Sequence, residues 1–282
     1  MNKIKILAFI AFTAIFSACG PDDGSPPSLK TTQRGFISPF DILEAEFDSK
    51  IVNVKDLQPS DISSSTKMEL LSDDELTKLG IKKSDKILYF RGSYSTTPGG
   101  LPYFAGGLEN AYVTFRNLKN SDYKRDSTTL YFSTYPILDS LNGNNDIPGR
   151  AIDLEPFLAI KYPNPISFAG VLDHESDAGV NFRDYYKLSL RTNDSLKILA
   201  KSNDTLIINI TEPGKNSVDK TCGVSPKKET SCDLTVGIGH LDVPQGDPSN
   251  KLVDFYIKIS DGKSEAQPNP YTLIITRVRI GG

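Results

Sequence analysis

Leu252-Val253-Asp254-Phe255-Tyr256-Ile257-Lys258-Ile259-Ser260 decides the fold class. Val253, Phe255, Ile257 and Ile259 alternate with Asp254, Tyr256, Lys258 and Ser260. Successive side chains of an extended strand point to opposite faces, so a period of two marks a strand with one face buried and one wet. Working outward, 204–211 and 270–280 share the character. So do three short apolar-aromatic runs at 87–91, 111–115 and 129–132. Clusters of Gly, Pro, Asn and Asp separate these runs, as expected of strand connections. The pattern predicts an all-β chain of two antiparallel β-sandwich, jelly-roll-like domains.

One helix is expected. Ser72-Asp73-Asp74-Glu75 fits a capping box, with Ser72 as N-cap and Glu75 three residues on, and Gly80 is a fitting stop. The helix near 73–79 is at most about two turns long.

The N-terminus reads differently. Lys3 and Lys5 precede an apolar run, 6–16, whose one polar residue is Thr13, then Ser17, Ala18 and Cys19. A basic segment, a short apolar segment and a small-residue cleavage site make an export signal. The run is shorter than the roughly 20 residues a membrane-spanning helix needs. Phe16-Ser17-Ala18-Cys19 resembles the lipobox of bacterial lipoproteins, although that family prefers Leu, Val or Ile where Phe16 stands. The resemblance implies removal of 1–18, acylation of Cys19 and a cell-envelope location. The membrane is then a partner through the acyl chains, most readily the outer membrane. Asp22 and Asp23 fit either a surface-sorting signal or a solubilising linker. Residues 19–35, rich in Gly, Pro, Ser and Asp, are expected to form a flexible tether.

Composition narrows function. The net charge is −3, and loss of residues 1–18 removes two lysines and no acid. A mildly acidic ectodomain argues against a nucleic-acid partner. With Cys19 lipidated, Cys222 and Cys232 remain. In an oxidising compartment they are expected to pair as a disulfide; their spacing does not match a zinc site.

The Gly-, Asn- and Pro-rich stretches at 143–149 and 162–165 place a domain junction near 160, giving an N-terminal β-rich domain, 36–160, and a C-terminal one, 161–282. Several C-terminal segments carry a resemblance. Residues 166–172 (ISFAGVL) form a strand with a glycine. Asp184-Tyr185-Tyr186-Lys187-Leu188 is an aspartate–tyrosine–tyrosine strand. Asn193-Asp194-Ser195-Leu196 and Asn203-Asp204-Thr205-Leu206 are turn-then-strand units, and Tyr271-Thr272-Leu273 closes the set. Together they resemble the bacterial pre-peptidase C-terminal domain family. The usual acidic run is reduced to Asp233-Leu234, and the cysteine loop is an insertion. The resemblance implies a small antiparallel sandwich that accompanies secreted proteins and aids targeting or binding, without peptidase activity.

Catalytic signatures are thin. A Ser/His/Asp arrangement needs His174 or His240 as base. Residues 36–155 contain no histidine and no cysteine, so a hydrolase there would run on paired carboxylates. Asp173, Glu175 and Asp177 flank His174 in an acidic loop that is either solvated or a Ca²⁺ site. No other cofactor is implied. Gly99-Gly100 and Gly106-Gly107 flank Leu101-Pro102-Tyr103-Phe104 without the Lys-Ser/Thr of a phosphate loop. Tyr103 and Phe104 are either loop-borne ligand anchors or aromatics tucked inward. The expectation is a non-enzymatic binding or adhesion module for an unidentified protein or glycan ligand. A structural envelope component and a carboxylate-based hydrolase are the alternatives.

Overall fold

The computed structural model describes residues 25–94, 101–138, 145–158, 165–172, 183–191, 194–212, 220–235, 252–261 and 268–279. The described part is all-β, with two short helices among the described residues. The first half contributes β1 (Gln33–Ile37), β2 (Leu43–Glu46), β3 (Ile62–Ser64), β4 (Met68–Leu70), β5 (Ile87–Gly92), β6 (Ala111–Lys119) and β7 (Lys124–Thr134). These strands make two sheets, β1-β7-β6-β3 and β2-β5-β4. Leu43 and Ala45 from β2, Leu88 and Phe90 from β5, and Val113, Phe115, Leu130 and Phe132 from β6 and β7 meet in one core. The first half is therefore a sandwich whose inward residues alternate with wet ones.

The second half contributes β8 (Ile152–Asp153), β9 (Ile166–Leu172), β10 (Arg183–Leu190), β11 (Asp194–Ser202), β12 (Leu206–Thr211), β13 (Lys220–Val224), β14 (Thr230–Thr235), β15 (Val253–Asp261) and β16 (Asn269–Arg279). Counting β9 to β16 as strands one to eight, one sheet runs 1-8-3-6 (β9-β16-β11-β14). The other runs 2-7-4-5 (β10-β15-β12-β13), with β8 added at its edge. Two interlocked four-stranded sheets in this order make a jelly roll. The alternating stretch at 252–260 contains most of β15, the central strand whose Phe255, Ile257 and Ile259 are fully buried. It pairs with β10 and β12 on either side.

Three expectations need correcting. The sandwiches are not purely antiparallel, because β1 runs parallel to β7 and β8 parallel to β10. The tether does not extend to residue 35. Pro27 is buried, Leu29 bridges Phe47 and the Asn120 side chain donates to Ser25 O. Polar composition hid a segment whose backbone groups find partners on the sandwich. The junction also falls earlier than 160, since β8 belongs to the second half's sheet and Leu154 and Leu158 lie in its core. Leu138 packs against that core too. The two halves touch through 136–138, where Ala169 N donates to Pro136 O (2.8 Å) and Leu138 N to Ala169 O (3.2 Å).

The strands that carry the C-terminal resemblance converge inside the second core. A Cβ on Gly170 would meet the Tyr271 ring at 2.4 Å, so only glycine lets that ring lie across β9. Tyr271 Oη donates to Asp184 Oδ2 (2.5 Å). Having one proton, it accepts from Tyr186 Oη (2.6 Å). The Tyr186 ring in turn packs on Phe168 at 4.9 Å. Cys222 and Cys232 form the expected disulfide, with Cα atoms 5.8 Å apart. It does more than close a loop, because β13 and β14 are edge strands of opposite sheets and the bond joins the two layers.

Candidate functional site: a cleft in the first sandwich

Tyr103 and Phe104 are not ligand anchors. They are 8% and 0% exposed. Phe104 packs on Phe132 (5.5 Å), and Tyr103 lies between Phe40 (5.9 Å) and Tyr94 (5.8 Å). Gly92 lets the backbone at Tyr103 come close, since a Cβ there would strike it at 1.8 Å. Cys19, the acidic loop of Asp173, Glu175 and Asp177, and both histidines lie outside the described residues. Among the described residues, no group of three or more His, Cys, Asp or Glu side chains is placed to hold a metal ion.

The first sandwich does carry a cleft of about 870 Å³, within the range of small-ligand sites. Its floor is apolar: Leu70, Leu71, Leu76, Ile87, Leu88 and Tyr89. One wall is α1 (Asp73–Lys78). The helix forms as the sequence predicts. Glu75 N donates to Ser72 Oγ (3.4 Å) and Ser72 N to Glu75 Oε2 (2.9 Å), while Gly80 ends it at φ +65°. Glu75 also takes a bond from Arg91 on β5 (2.6 Å), and Leu76 buries its side chain. A helix of six residues is not stable alone; the cap, the ion pair and Leu76 hold it to the sheet. The opposite wall is a 3₁₀ turn at Val54–Asp56.

The rim is charged and carries two internal ion pairs. Lys50 Nζ lies 2.8 Å from Asp85 Oδ2, and Lys83 Nζ lies 2.6 Å from Asp73 Oδ2. The hydrogen bond and charge of Lys50 hold the Asp85 carboxyl below the usual carboxylate range. The hydrogen bond to Asp73 lifts the Lys83 ammonium above its usual value. Deeper in, burial pushes the Tyr89 phenol up, helped by Glu44 and Glu46, and its hydroxyl donates to Lys82 O (3.2 Å). A carboxylate that must deliver a proton needs its pKa raised toward neutrality; Asp85 is shifted the other way. The cleft thus offers an apolar floor beside two fixed ion pairs, with Lys55, Asp56 and Asp74 also on its lining, an arrangement suited to recognition.

Aromatic rings do reach solvent elsewhere. Phe36, Tyr112 and Tyr131 are 56%, 41% and 42% exposed. The signal for Tyr112 was present in the sequence. Tyr112 alternates with Ala111, Val113 and Phe115, so a strand burying those three must turn Tyr112 outward.

No family model matches the chain, and no curated protein matches it. Among solved structures, it is similar to Aeromonas hydrophila PliG, a periplasmic lysozyme inhibitor of g-type lysozyme. The identity is 8% and the TM-score 0.29, over 45% of this chain and 96% of that one. Salmonella Typhimurium PliG gives 15% and 0.27, over 42% and 91%. The carbohydrate-binding module CBM36, in complex with calcium and xylotriose, gives 14% and 0.23, over 39% and 88%. Likeness this slight assigns no function.

Proposed function

We propose that this chain is a lipid-anchored, non-enzymatic binding protein of the bacterial cell envelope, with its principal ligand site in the cleft of the first sandwich. The anchor rests on the signal segment and Cys19. The binding role rests on one observation, the coexistence of an apolar cleft floor with a charged rim in which Asp73 and Asp85 are tied up by lysines. The occupant this chemistry fits is a segment of another protein. It seats an apolar side chain on Leu71, Leu76 and Tyr89 and meets the rim with charges of both signs. A paired rim favours specificity over raw affinity, since an incoming charge must match fixed neighbours.

The anchor is tested by mass spectrometry of the protein from its native membrane. An unmodified Cys19, or a retained leader, overturns it. The site is tested by selecting displayed peptides on the immobilised protein and re-measuring the winners on Lys83→Glu and Lys50→Glu. Both lysines are more than half exposed, so folding should survive. Charge reversal is expected to weaken selected peptides about tenfold or more. Peptides that bind wild type and both variants equally well would remove the cleft from the proposal.

A further inference from the structure

A second surface of the first sandwich, separate from the cleft, has the chemistry of a saccharide platform. On the outer face of β1-β7-β6-β3, Tyr112 and Tyr131 are direct cross-strand partners. Their rings meet edge to face at 6.4 Å. Further along, Phe36 stacks on Tyr135 at 5.4 Å with the planes only 22° apart. Tyr135 lies four residues beyond Tyr131, one past the end of β7, or roughly 13 Å of extended backbone.

The backbone is arranged to expose Phe36. Between Gln33, opposite Tyr131, and Phe36, opposite Ser133, β1 spends three steps where β7 spends two. Gly35 sits in this bulge at φ +35°. Simple alternation from Gln33 would send Phe36 inward; the extra residue turns it to the wet face. Bulges commonly re-aim a side chain in this way. Turned outward, Phe36 keeps its stacking on Tyr135 but stays 56% exposed, so the detour leaves more than half of the ring open to a ligand.

The positions beside Tyr112 and Tyr131 carry hydroxyls and an amide rather than charge, whereas the Phe36–Tyr135 pair borders a groove that also carries Asp41, Lys201 and Glu229. Gln33 lies opposite Tyr131, and Thr114 and Thr129 share a hydrogen bond of 2.9 Å. Formal charge on this face of β6 begins only at Arg116. Exposed aromatic rings set among neutral hydrogen-bonding groups complement a sugar, whose ring presents a flat C–H face edged with hydroxyls. The neutrality around Tyr112 and Tyr131 selects an uncharged glycan there over an acidic polymer or a protein with a charged rim.

We infer that this face binds an uncharged glycan, its sugar rings stacking on the Tyr112–Tyr131 and Phe36–Tyr135 pairs. The inference does not depend on the cleft being a ligand site. The test is affinity electrophoresis of the detergent-solubilised full chain in native gels carrying hydroxyethylcellulose, xylan, laminarin or amylose. At least one polysaccharide should retard the wild type. The double variant Tyr112→Ala/Tyr131→Ala and the single variant Phe36→Ala should each lose about tenfold or more of that affinity, and Lys83→Glu should lose none. Because the replaced rings are exposed, unchanged melting temperatures will separate lost binding from lost fold. Absence of retardation by all four polysaccharides overturns the inference, as does equal retardation of the ring variants. So does a finding, by sedimentation, that the same rings hold two copies of the chain together. Loss of peptide binding in Lys83→Glu with intact retardation would separate the two sites.

Discussion

An alanine Cβ at Gly170 would lie 2.4 Å from Cζ and Oη of Tyr271. The ring has little room to retreat, because its hydroxyl is bonded to both Asp184 and Tyr186 inside the core. Gly170→Ala must therefore displace β9 or break the hydroxyl chain. Overpacking alone costs about 1–3 kcal/mol, and a broken buried hydrogen bond adds about 1–3 more. Urea unfolding should show a loss of at least about 2 kcal/mol in the second sandwich. Asp41 presents the opposite case. It sits where the halves meet, beside Tyr135 and Lys201. Burial raises its carboxyl pKa, and the charge of Lys201 and the bond from Ser38 N only partly offset this. A raised carboxyl pKa means the folded state holds the proton more tightly than the unfolded chain, so the ionised form costs stability at neutral pH. That cost disappears as the pH falls through the raised value. Asp41→Asn should melt higher than wild type at pH 7, and the advantage should shrink toward pH 4. Melting temperatures measured across that range check it; an advantage independent of pH would assign the gain to something other than ionisation.

At the level of elements, α1 is held by three small contributions rather than by length. Removing the cap with Ser72→Ala should cost about 1 kcal/mol. The loss should be felt mainly in the helix, as faster amide exchange over 75–81 and weaker binding of cleft-selected peptides. The cap was legible in the sequence because its signal is local, a Ser and a Glu at fixed spacing. The long strands β15 and β16 were legible for a similar reason, each repeating a two-residue period often enough to be seen, while β6 and β7 showed only their short apolar-aromatic runs at 111–115 and 129–132. β13 and β14 were not. Their sequences, KTCGV and TSCDLT, are polar because each lies at a sheet edge with one face wet, and only Val224, Cys232 and Leu234 are deeply buried. β1 to β4 hold three to five residues each, too few to display a period. The cleft was invisible because its floor comes from β4, β5 and α1 and its rim from 50–56 and 83–85. No stretch of sequence announces that these meet.

Across the whole molecule, two cores share one chain and a narrow junction. The first gathers Phe47, Phe90, Phe115 and their neighbours; the second gathers Phe168, Tyr186, Phe255 and theirs. They are linked through the strand-like pairing of 136–138 with Ala169 and a small groove of about 160 Å³. Each core is large enough to unfold cooperatively, and little apolar surface joins them, so each half is expected to melt as its own unit. The disulfide gives a way to tell the units apart, since both its cysteines belong to the second. Closing a loop of sequence separation 10 restricts the unfolded chain by about 2–3 kcal/mol. For a domain of this size, that corresponds to a fall of about 10 °C when the bond is reduced. Differential scanning calorimetry should therefore resolve two transitions. Reducing agent, or Cys222→Ser/Cys232→Ser, should lower one by about 10 °C and leave the other in place. Gly170→Ala should move the same transition as the cysteine variant, while Ser72→Ala should touch only the other. If all of these changes displaced one shared transition, the junction would be strong enough to make the two sandwiches a single cooperative body. In that case a ligand bound at the first sandwich would stabilise the second by the same free energy.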